Sequence, residues 1–345
     1  MPGLNIPAGR KLVGANLVPN PAAAFTSGRR FEGMWSTEWD WPGWIKPQID
    51  LALGQLGFNC IRSLGAHWGI GAGRVNIAQY TARLVQVAQY LADWGAYFYL
   101  TGDSLRVGST EDEIVPVATQ APRYAGYLRE LQAVGNVAGF DICNEADNVV
   151  NGIATGYWST AYMRDLIAAI KAQGITIPLT YSAHEMFDTA GLNVNSPYPA
   201  LWVTDKAEPC GFDYIDLHLY DFYRMDLSQG KYLDHFLLNY GSLEIIVTET
   251  GKNQTVTSDA AVTDLNLAYR RGLSGHPRVR GVLQWAMADL ENGSTFAAAG
   301  LGSVQAGEWG IYDTNTTPGT FIPRPHLVAL ARRFTGGSVS ACNRR

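Results

Sequence analysis

Two glutamates each stand at the end of a short apolar run, which is an uncommon place for an ionisable side chain. Glu145 lies in GFDICNEAD (139–147) and Glu249 lies in EIIVTETG (244–251). A neutral and an ionised carboxyl group can together cleave a glycosidic bond, because one protonates the departing oxygen while the other attacks the anomeric carbon. We therefore expect Glu145 and Glu249 to form such a catalytic pair, if the fold brings them together.

The spacing of the two glutamates fits a repeated strand and helix unit. They are 249 − 145 = 104 residues apart, close to three units of about 31 residues in a barrel of roughly 250 residues. Short runs that are apolar on both faces, as buried parallel strands should be, recur at 11–18, 58–64, 96–102, 137–143, 175–182, 214–220, 244–249 and 281–287. On this count the glutamates end the fourth and seventh strands, which lie across a barrel from each other.

Segments with helical periodicity separate these runs. One spans 77–94, with Asn76 placed to cap its start and Gly95 to end it, another spans about 158–173, and a third begins after Ser258. Eight strands alternating with helices predict a (β/α)8 TIM barrel. An open doubly wound sheet would need a glycine-rich loop after the first strand, and VPNPAAAF contains no such motif.

We expect one domain over residues 1–345, with long connections after the first strand (19–45) and the eighth strand (288–322). Both leave the carboxyl ends of strands, where barrel enzymes place their chemistry. The first connection is rich in aromatic residues, and Trp35 is the member that we select as a candidate sugar contact. The alternative, that these rings form a small core inside the loop, stays open. The residues concerned are Phe25, Phe31, Trp35, Trp39, Trp41 and Trp44.

Composition excludes several classes of protein. Hydrophobic residues make up 47% of the chain and charged residues 17%, which suits a globular protein with a large core. The formal net charge is −5 and the basic residues are dispersed, so nucleic acid is not an expected partner. We find no apolar run of the roughly 20 residues that a bilayer requires. The expectation is a soluble monomer, and whether it is secreted with its signal removed, or belongs to an extracellular particle, stays open.

The four cysteines show no metal-binding spacing. Cys60 and Cys143 lie inside apolar runs, where we expect buried free thiols. A disulfide between Cys210 and Cys342 is left open by the sequence.

The order of motifs along the barrel resembles that of clan A glycoside hydrolases, and most closely family 5, the cellulase and mannanase group. The motifs are NE on the fourth strand, HLY (218–220) on the sixth, VTETG on the seventh and Trp285 on the eighth. The likeness extends from Arg62 to WGIYD (309–313). It implies a carbohydrate substrate with β-linkages, cleaved with retention of configuration and without a metal or organic cofactor.

The resemblance also implies roles for individual residues, with Glu145 as general acid/base and Glu249 as nucleophile. Asn144 would bind the sugar 2-hydroxyl, and Arg62 and Tyr220 would keep Glu249 ionised. Two further positions, His218 and Trp285, would complete the substrate site, with Trp285 as the floor of the −1 subsite. The third strand departs from the family, because it ends in Thr101-Gly102-Asp103 where a histidine is common. Loop histidines could take its place. The candidates are His67, after the second strand, and His184, after the fifth.

Two rival functions are weighed against this interpretation. A metal-dependent barrel hydrolase would need a His-x-His pair in the first strand, which reads VGANLV. A non-catalytic carbohydrate-binding barrel would keep the aromatic residues but would have no use for both carboxylates. The identity of the glycan is not determined by the sequence, and only the family likeness favours glucan or mannan.

Overall fold

The short apolar runs form a ring of parallel strands in the computed structural model, which describes residues 3–20, 30–103, 115–146, 159–183, 207–218, 242–251, 266, 276–289, 310–314 and 320–335. The barrel strands are β1 (Leu12–Asn16), β2 (Cys60–Leu64), β3 (Tyr97–Asp103), β4 (Val137–Cys143), β5 in two segments (Leu179–Thr180 and Ser182–Ala183), β6 (Ile215–His218), β7 (Ile245–Thr250) and β8 (Val279–Gln284).

Strand pairing closes the ring. β1 pairs with both β2 and β8, and each later strand pairs with the next in chain order. The first segment of β5 pairs with β4 and the second pairs with β6, so that Tyr181 interrupts the strand without opening the sheet. The predicted (β/α)8 TIM barrel is confirmed.

Helices lie between the strands. They are α1 (Arg30–Trp35), α2 (Lys46–Asp50), α3 (His67–Gly71), α4 (Ile77–Asp93), α5 (Val117–Val134), α6 (Thr160–Lys171), α7 (Glu208–Cys210) and α8 (Pro325–Thr335), and π-helical turns at Trp41–Ile45 and Leu51–Gln55 flank α2. A small antiparallel pair joins β9 (Tyr312–Asp313) to β10 (Ile322–Pro323). The described residues contain no helix that is long and apolar enough to cross a membrane.

Helix α4 illustrates how the local sequence sets the ends of an element. The Asn76 side chain accepts hydrogen bonds from the backbone N–H groups of Ala78 and Gln79, which are otherwise without partners in the first turn. Gly95 follows the helix with a φ of 66°, a conformation that residues with a Cβ avoid. The third predicted helix, after Ser258, lies outside the described residues.

The amino end of the barrel is closed by apolar packing. Leu4 lies beneath the strands with Tyr99, Tyr214 and Leu283, and its backbone N–H donates to the Glu244 carboxylate at 2.8 Å. Glu244 therefore has a structural contact at this end. The polar side chains of the interior lie at the opposite end of the barrel, at the carboxyl ends of the strands.

The aromatic residues of the first long connection form a loop core. Trp35 is fully buried and donates its indole N–H to the Leu64 carbonyl at 2.6 Å. Trp39 stacks between Trp35 and Trp41, with ring centroids 5.5 and 5.9 Å away. Of the two interpretations left open by the sequence, the described rings support the loop core. Phe25 lies outside the described residues.

The three cysteines among the described residues are all buried. The burial of Cys60 and Cys143 agrees with the expectation, and the Cys210 Sγ lies 3.4 Å from the Thr160 carbonyl oxygen. Burial raises the pKa of the Cys60 thiol far above its usual value. Cys342 lies outside the described residues.

Candidate active site

Five polar side chains meet at the carboxyl ends of the strands. Arg62 is contributed by β2, Asn144 and Glu145 follow β4, His218 ends β6 and Glu249 lies near the end of β7. The register pairs His218 with Glu249 across the β6–β7 ladder. All five were singled out from the sequence, and the closed barrel brings them together.

The two glutamates approach each other closely. One carboxylate oxygen of Glu145, one of Glu249 and one ring nitrogen of His218 all lie within 4.8 Å of one another. The Glu145 side chain is 13% exposed and that of Glu249 is 5% exposed. The pair therefore faces a partly accessible space from largely buried positions.

Arg62 holds one side of this cluster. Its Nη1 donates to Glu249 Oε1 at 2.5 Å and to Asn16 Oδ1 at 2.6 Å, its Nη2 donates to Asn144 Oδ1 at 2.8 Å, and its Nε donates to Thr101 Oγ1 at 2.9 Å. The guanidinium is thus fixed in a single orientation.

Charge complements this geometry. Complete burial lowers the pKa of Arg62, but the nearby negative charges of Glu249, Asp216 and Asp141 raise it by more, so the net pKa lies above its ordinary value. A permanently charged guanidinium therefore lies in direct contact with the Glu249 carboxylate.

His218 bridges the two carboxylates. Its Nδ1 lies 2.9 Å from Glu145 Oε1 and 3.5 Å from Glu249 Oε2. Its Nε2 lies 3.3 Å from Arg62 Nη2, which can only donate, so in the neutral ring Nε2 accepts and Nδ1 carries the proton. Burial lowers the pKa of His218, but Glu249 and Glu145 raise it by more, and the net shift is upward.

The backbone at Glu145 adopts a strained conformation. Its φ is +50°, the left-handed region, which costs an ordinary residue about 1–2 kcal/mol. The Glu145 N–H donates to Ser182 Oγ at 2.8 Å, and the Ala146 N–H donates to the Ser182 carbonyl at 3.0 Å. Contacts with β5 therefore hold the turn that presents Glu145.

Two further carboxyl groups lie buried beneath the cluster. Asp216 accepts hydrogen bonds from the hydroxyls of Tyr99, at 2.5 Å, and Thr248. Burial raises the pKa of Asp141 to about 8, with a further upward contribution from the charge of Asp216 and a smaller opposing one from Arg62, 3.9 Å away. Burial also raises the pKa of Asp216, against the effect of His218 and Arg62.

Trp285 follows β8 at the same end of the barrel. It is partly buried, its backbone N–H donates to the Thr250 carbonyl at 2.7 Å, and its ring lies 6.0 Å from that of Phe31. The peptide bond between Trp285 and Ala286 is cis. This location is compatible with the predicted floor of a sugar subsite. Tyr220 and His184, the other predicted contacts, lie outside the described residues.

Two sequence predictions require correction. His67 is fully buried, its ring stacks on Tyr124 with centroids 3.5 Å apart, and its nitrogens lie 2.8 Å from Gln120 Oε1 and 3.2 Å from the Tyr127 hydroxyl. Burial lowers the pKa of His67 to about 3, so the ring is a neutral core residue. Trp35 is also fully buried in the loop core. Neither side chain has a surface with which to contact a substrate.

Several members of the network were not selected from the sequence. They are polar residues within otherwise apolar strands: Asn16, Thr101, Asp141, Ser182 and Asp216. A buried polar side chain needs a hydrogen-bond partner. A polar residue near the carboxyl end of a predicted barrel strand therefore indicates membership of a buried network, and this signal could have identified these residues.

Glu145, His218 and Glu249 also have donor atoms close enough together for a metal ion. Arg62 already supplies a positive charge at this point, donating to Glu249 and lying 3.3 Å from His218 Nε2. A divalent cation would be repelled by the buried guanidinium, so the donor set suits an organic substrate better than a metal.

Comparison with known proteins gives matches at the level of fold. No model of a protein family matches the chain, and no curated protein matches it. Among solved structures it is similar to an exo-β-1,4-mannosidase from Opitutaceae bacterium strain TAV5, with 18% identity and a TM-score of 0.62 over 96% of this chain. The chain spans 61% of the length of that mannosidase.

Two other solved structures show the same likeness. A β-glycosidase, BGL167, has 14% identity and a TM-score of 0.64, with 97% of this chain and 98% of that chain covered. A variant of the GH5_18 protein from Bifidobacterium longum subsp. longum, solved with Manβ1-4GlcNAc, has 15% identity and a TM-score of 0.65, with 96% and 79% covered. The resemblance to family 5 is confirmed in the fold.

Proposed function

We propose that the protein is a retaining glycoside hydrolase of β-linked sugars, in which Glu249 is the nucleophile and Glu145 the general acid/base. The observation that carries the proposal is the approach of the two carboxylates, with one oxygen of each within 4.8 Å. Carboxyl groups stand about 5–5.5 Å apart in retaining enzymes and about 6.5–9.5 Å apart in inverting enzymes, which must also accommodate a water. The approach of the two oxygens is compatible with the first class, and we base the proposal of retention on it.

In the first step, Glu249 attacks the anomeric carbon. Because Arg62 holds Oε1, we assign the attack to Oε2. A bond forms between Oε2 and the anomeric carbon as the bond to the departing oxygen breaks, and Glu145 gives its proton to that oxygen. The product is a glycosyl ester of Glu249, and the side chain of Glu249 no longer carries a negative charge.

In the second step, water replaces the enzyme on the sugar. The ionised Glu145 takes a proton from the water as its oxygen bonds to the anomeric carbon, and the ester bond to Glu249 breaks. His218 supports this exchange, because its Nδ1 donates to Glu145 Oε1 at 2.9 Å and stabilises the ionised form. Arg62 stabilises the carboxylate that departs. Two inversions give net retention.

The remaining contacts would orient the sugar. Asn144 Oδ1 accepts from Arg62, so its amide N–H groups are the ones that would meet the 2-hydroxyl. Trp285 would lie under the sugar ring, where C–H groups pack on an aromatic face. Tyr220 and His184 complete the proposed substrate contacts.

For the substrate class we place β-mannosides first. The names of two similar structures, an exo-β-1,4-mannosidase and a complex with Manβ1-4GlcNAc, support this order. β-Glucosides come next. The buried ion pair of Arg62 and Glu249 favours catalysis over binding alone, because a lectin-like barrel gains nothing from a desolvated carboxylate.

The test is hydrolysis of a panel of aryl β-glycosides and manno- or gluco-oligosaccharides, followed by NMR analysis of the first-formed anomer. A 2-deoxy-2-fluoro-β-mannosyl fluoride should label Glu249, and peptide mass spectrometry would locate the label. We expect retention and a label on Glu249. An inverted product, or a label on another residue, would contradict the mechanism; binding of glycans without turnover would favour the non-catalytic barrel.

A further inference from the structure

We propose that Ser182 is a positioning residue for Glu145, and that its hydroxyl maintains the backbone conformation from which the acid/base carboxyl reaches the bond being cleaved. The inference rests on the proposed function and adds a residue that contacts no substrate in that mechanism. Ser182 is fully buried in the second segment of β5, beside the turn that carries Glu145.

The first argument is a two-point contact with the turn. Ser182 Oγ accepts the Glu145 N–H at 2.8 Å, and its carbonyl oxygen accepts the Ala146 N–H at 3.0 Å. A φ of +50° is not the intrinsic preference of a glutamate. Such a conformation persists when its surroundings determine it, and Ser182 provides partners for both N–H groups of this turn.

The second argument is that Ser182 is itself fixed. Its N–H donates to Asp141 Oδ1 at 2.8 Å, and the same oxygen accepts the Cys143 N–H at 3.2 Å. Asp141 lies on β4, whose end leads directly into Glu145. The chain of contacts from Asp141 through Ser182 to Glu145 therefore ties β5 to the end of β4 by hydrogen bonds of 3.2 Å or less.

Loss of the hydroxyl should affect one catalytic group more than the other. Without Oγ, the Glu145 N–H has no acceptor at this position, and the backbone can relax towards negative φ, which moves the carboxyl away from His218 Nδ1. Glu249 lies on β7 and is held by Arg62, so its attack is not directly disturbed. Within the first chemical step, the defect should appear only when the departing group needs a proton from Glu145.

The test compares Ser182→Ala with a matched control, Ser63→Ala. Ser63 is also buried in a barrel strand, and its hydroxyl donates to the Leu64 carbonyl at 2.9 Å, away from the cluster. The substrates are phenyl β-D-mannoside, whose departing group needs protonation, and 2,4-dinitrophenyl β-D-mannoside, whose departing group does not. The quantity measured is kcat/KM, which reports the first chemical step, with thermal unfolding as a check on folding.

We expect Ser182→Ala to lose about tenfold to a hundredfold on the phenyl substrate, as a small misplacement of a catalytic group would cause. The loss on the dinitrophenyl substrate should be less than about threefold, because acid catalysis contributes little there. Ser182→Thr retains the acceptor and should recover most of the phenyl activity. Ser63→Ala should leave both values unchanged.

Glu145→Ala separates failure of this inference from failure of the proposed function. If Glu145→Ala shows the dependence on the departing group and Ser182→Ala does not, the positioning role is overturned. Equal losses on both substrates in Ser182→Ala would also overturn it, as a general structural defect. If Glu145→Ala itself shows no such dependence, the assignment of Glu145 as the acid fails, and the role of Ser182 fails with it.

Discussion

Replacing Asp141 with Asn should make the protein more stable at alkaline pH and leave its stability nearly unchanged at acidic pH. Asp141 Oδ1 accepts hydrogen bonds from two backbone N–H groups, which the amide oxygen of Asn can equally accept. Oδ2 is buried and has no hydrogen-bond partner among the described residues. The substitution therefore preserves both hydrogen bonds to Oδ1, and it removes the ability of residue 141 to ionise and to pair with Arg62, 3.9 Å away.

The magnitude follows from the pKa of Asp141 in the folded protein. Burial, and then the charge of Asp216, raise it from 3.8 to about 8. Since each pKa unit corresponds to about 1.4 kcal/mol, ionising Asp141 in the folded state costs up to roughly 6 kcal/mol. Because the surrounding groups can rearrange around the charge, the actual cost is smaller than this upper limit. We expect Asp141→Asn to raise the free energy of unfolding by about 2 kcal/mol or more at alkaline pH.

The sign is set by proton binding. Between pH 4 and 8 the folded protein retains a proton on Asp141 that the unfolded chain has released, so this residue makes stability fall as the pH rises through that range. The advantage of Asp141→Asn over wild type should therefore be near zero at pH 4, grow up to about pH 8 and then level off.

The assay is denaturant unfolding of both proteins at a series of pH values. Asp216→Asn is the contrasting variant, because both oxygens of Asp216 accept hydroxyl hydrogen bonds, from Tyr99 and Thr248, and an amide nitrogen cannot replace either one. It should destabilise the protein even at acidic pH. A stability difference between Asp141→Asn and wild type that does not vary with pH, or that shrinks as the pH rises, would refute the reasoning.

Four other outcomes are expected. Glu249→Gln should fold normally and lower kcat/KM by about three orders of magnitude or more; retention of more than about a tenth of wild-type activity would exclude it as the nucleophile. Arg62→Lys cannot keep the four hydrogen bonds of the guanidinium, and thermal unfolding should show a loss of about 3 kcal/mol; unchanged stability would contradict the central role of Arg62. His67→Phe should leave kcat/KM within about twofold of wild type, since the ring is buried, and a large rise in KM would restore His67 as a substrate contact. Dialysis against EDTA should not alter the rate of hydrolysis, and activity that returns only on adding a divalent metal would favour a metal enzyme.

Much of the architecture was predictable because it depends on local patterns. The eight apolar runs coincide with the barrel strands, with the fifth divided at Tyr181. The ends of α4 were predictable because Asn76 and Gly95 act within one turn of their own positions. The division of β5 was not predicted, since it depends on pairing with different neighbours on its two sides.

The site was predictable where position along a strand was sufficient. Parallel strands of a closed barrel end on one face. His218 and Glu249 lie at or next to the ends of their strands, Glu145 lies just after β4, and the long side chain of Arg62 comes from within β2, so these groups could meet once the ring closed. His67 and Trp35 were misassigned because a residue just after a strand, or in a loop, can turn inward or outward. His67 turns inward and stacks on Tyr124, and Trp35 turns inward and donates a hydrogen bond to the Leu64 carbonyl.

The sequence by itself determined the order of strands and helices and the pair of glutamates at strand ends, because these follow from the spacing of residue types along the chain. The tertiary structure alone decided how the pair is held. The guanidinium of Arg62 reaches partners on β1, β3, β4 and β7, and Ser182 supports a strained turn that follows another strand. Such contacts join residues up to 187 positions apart and arise only when the barrel closes.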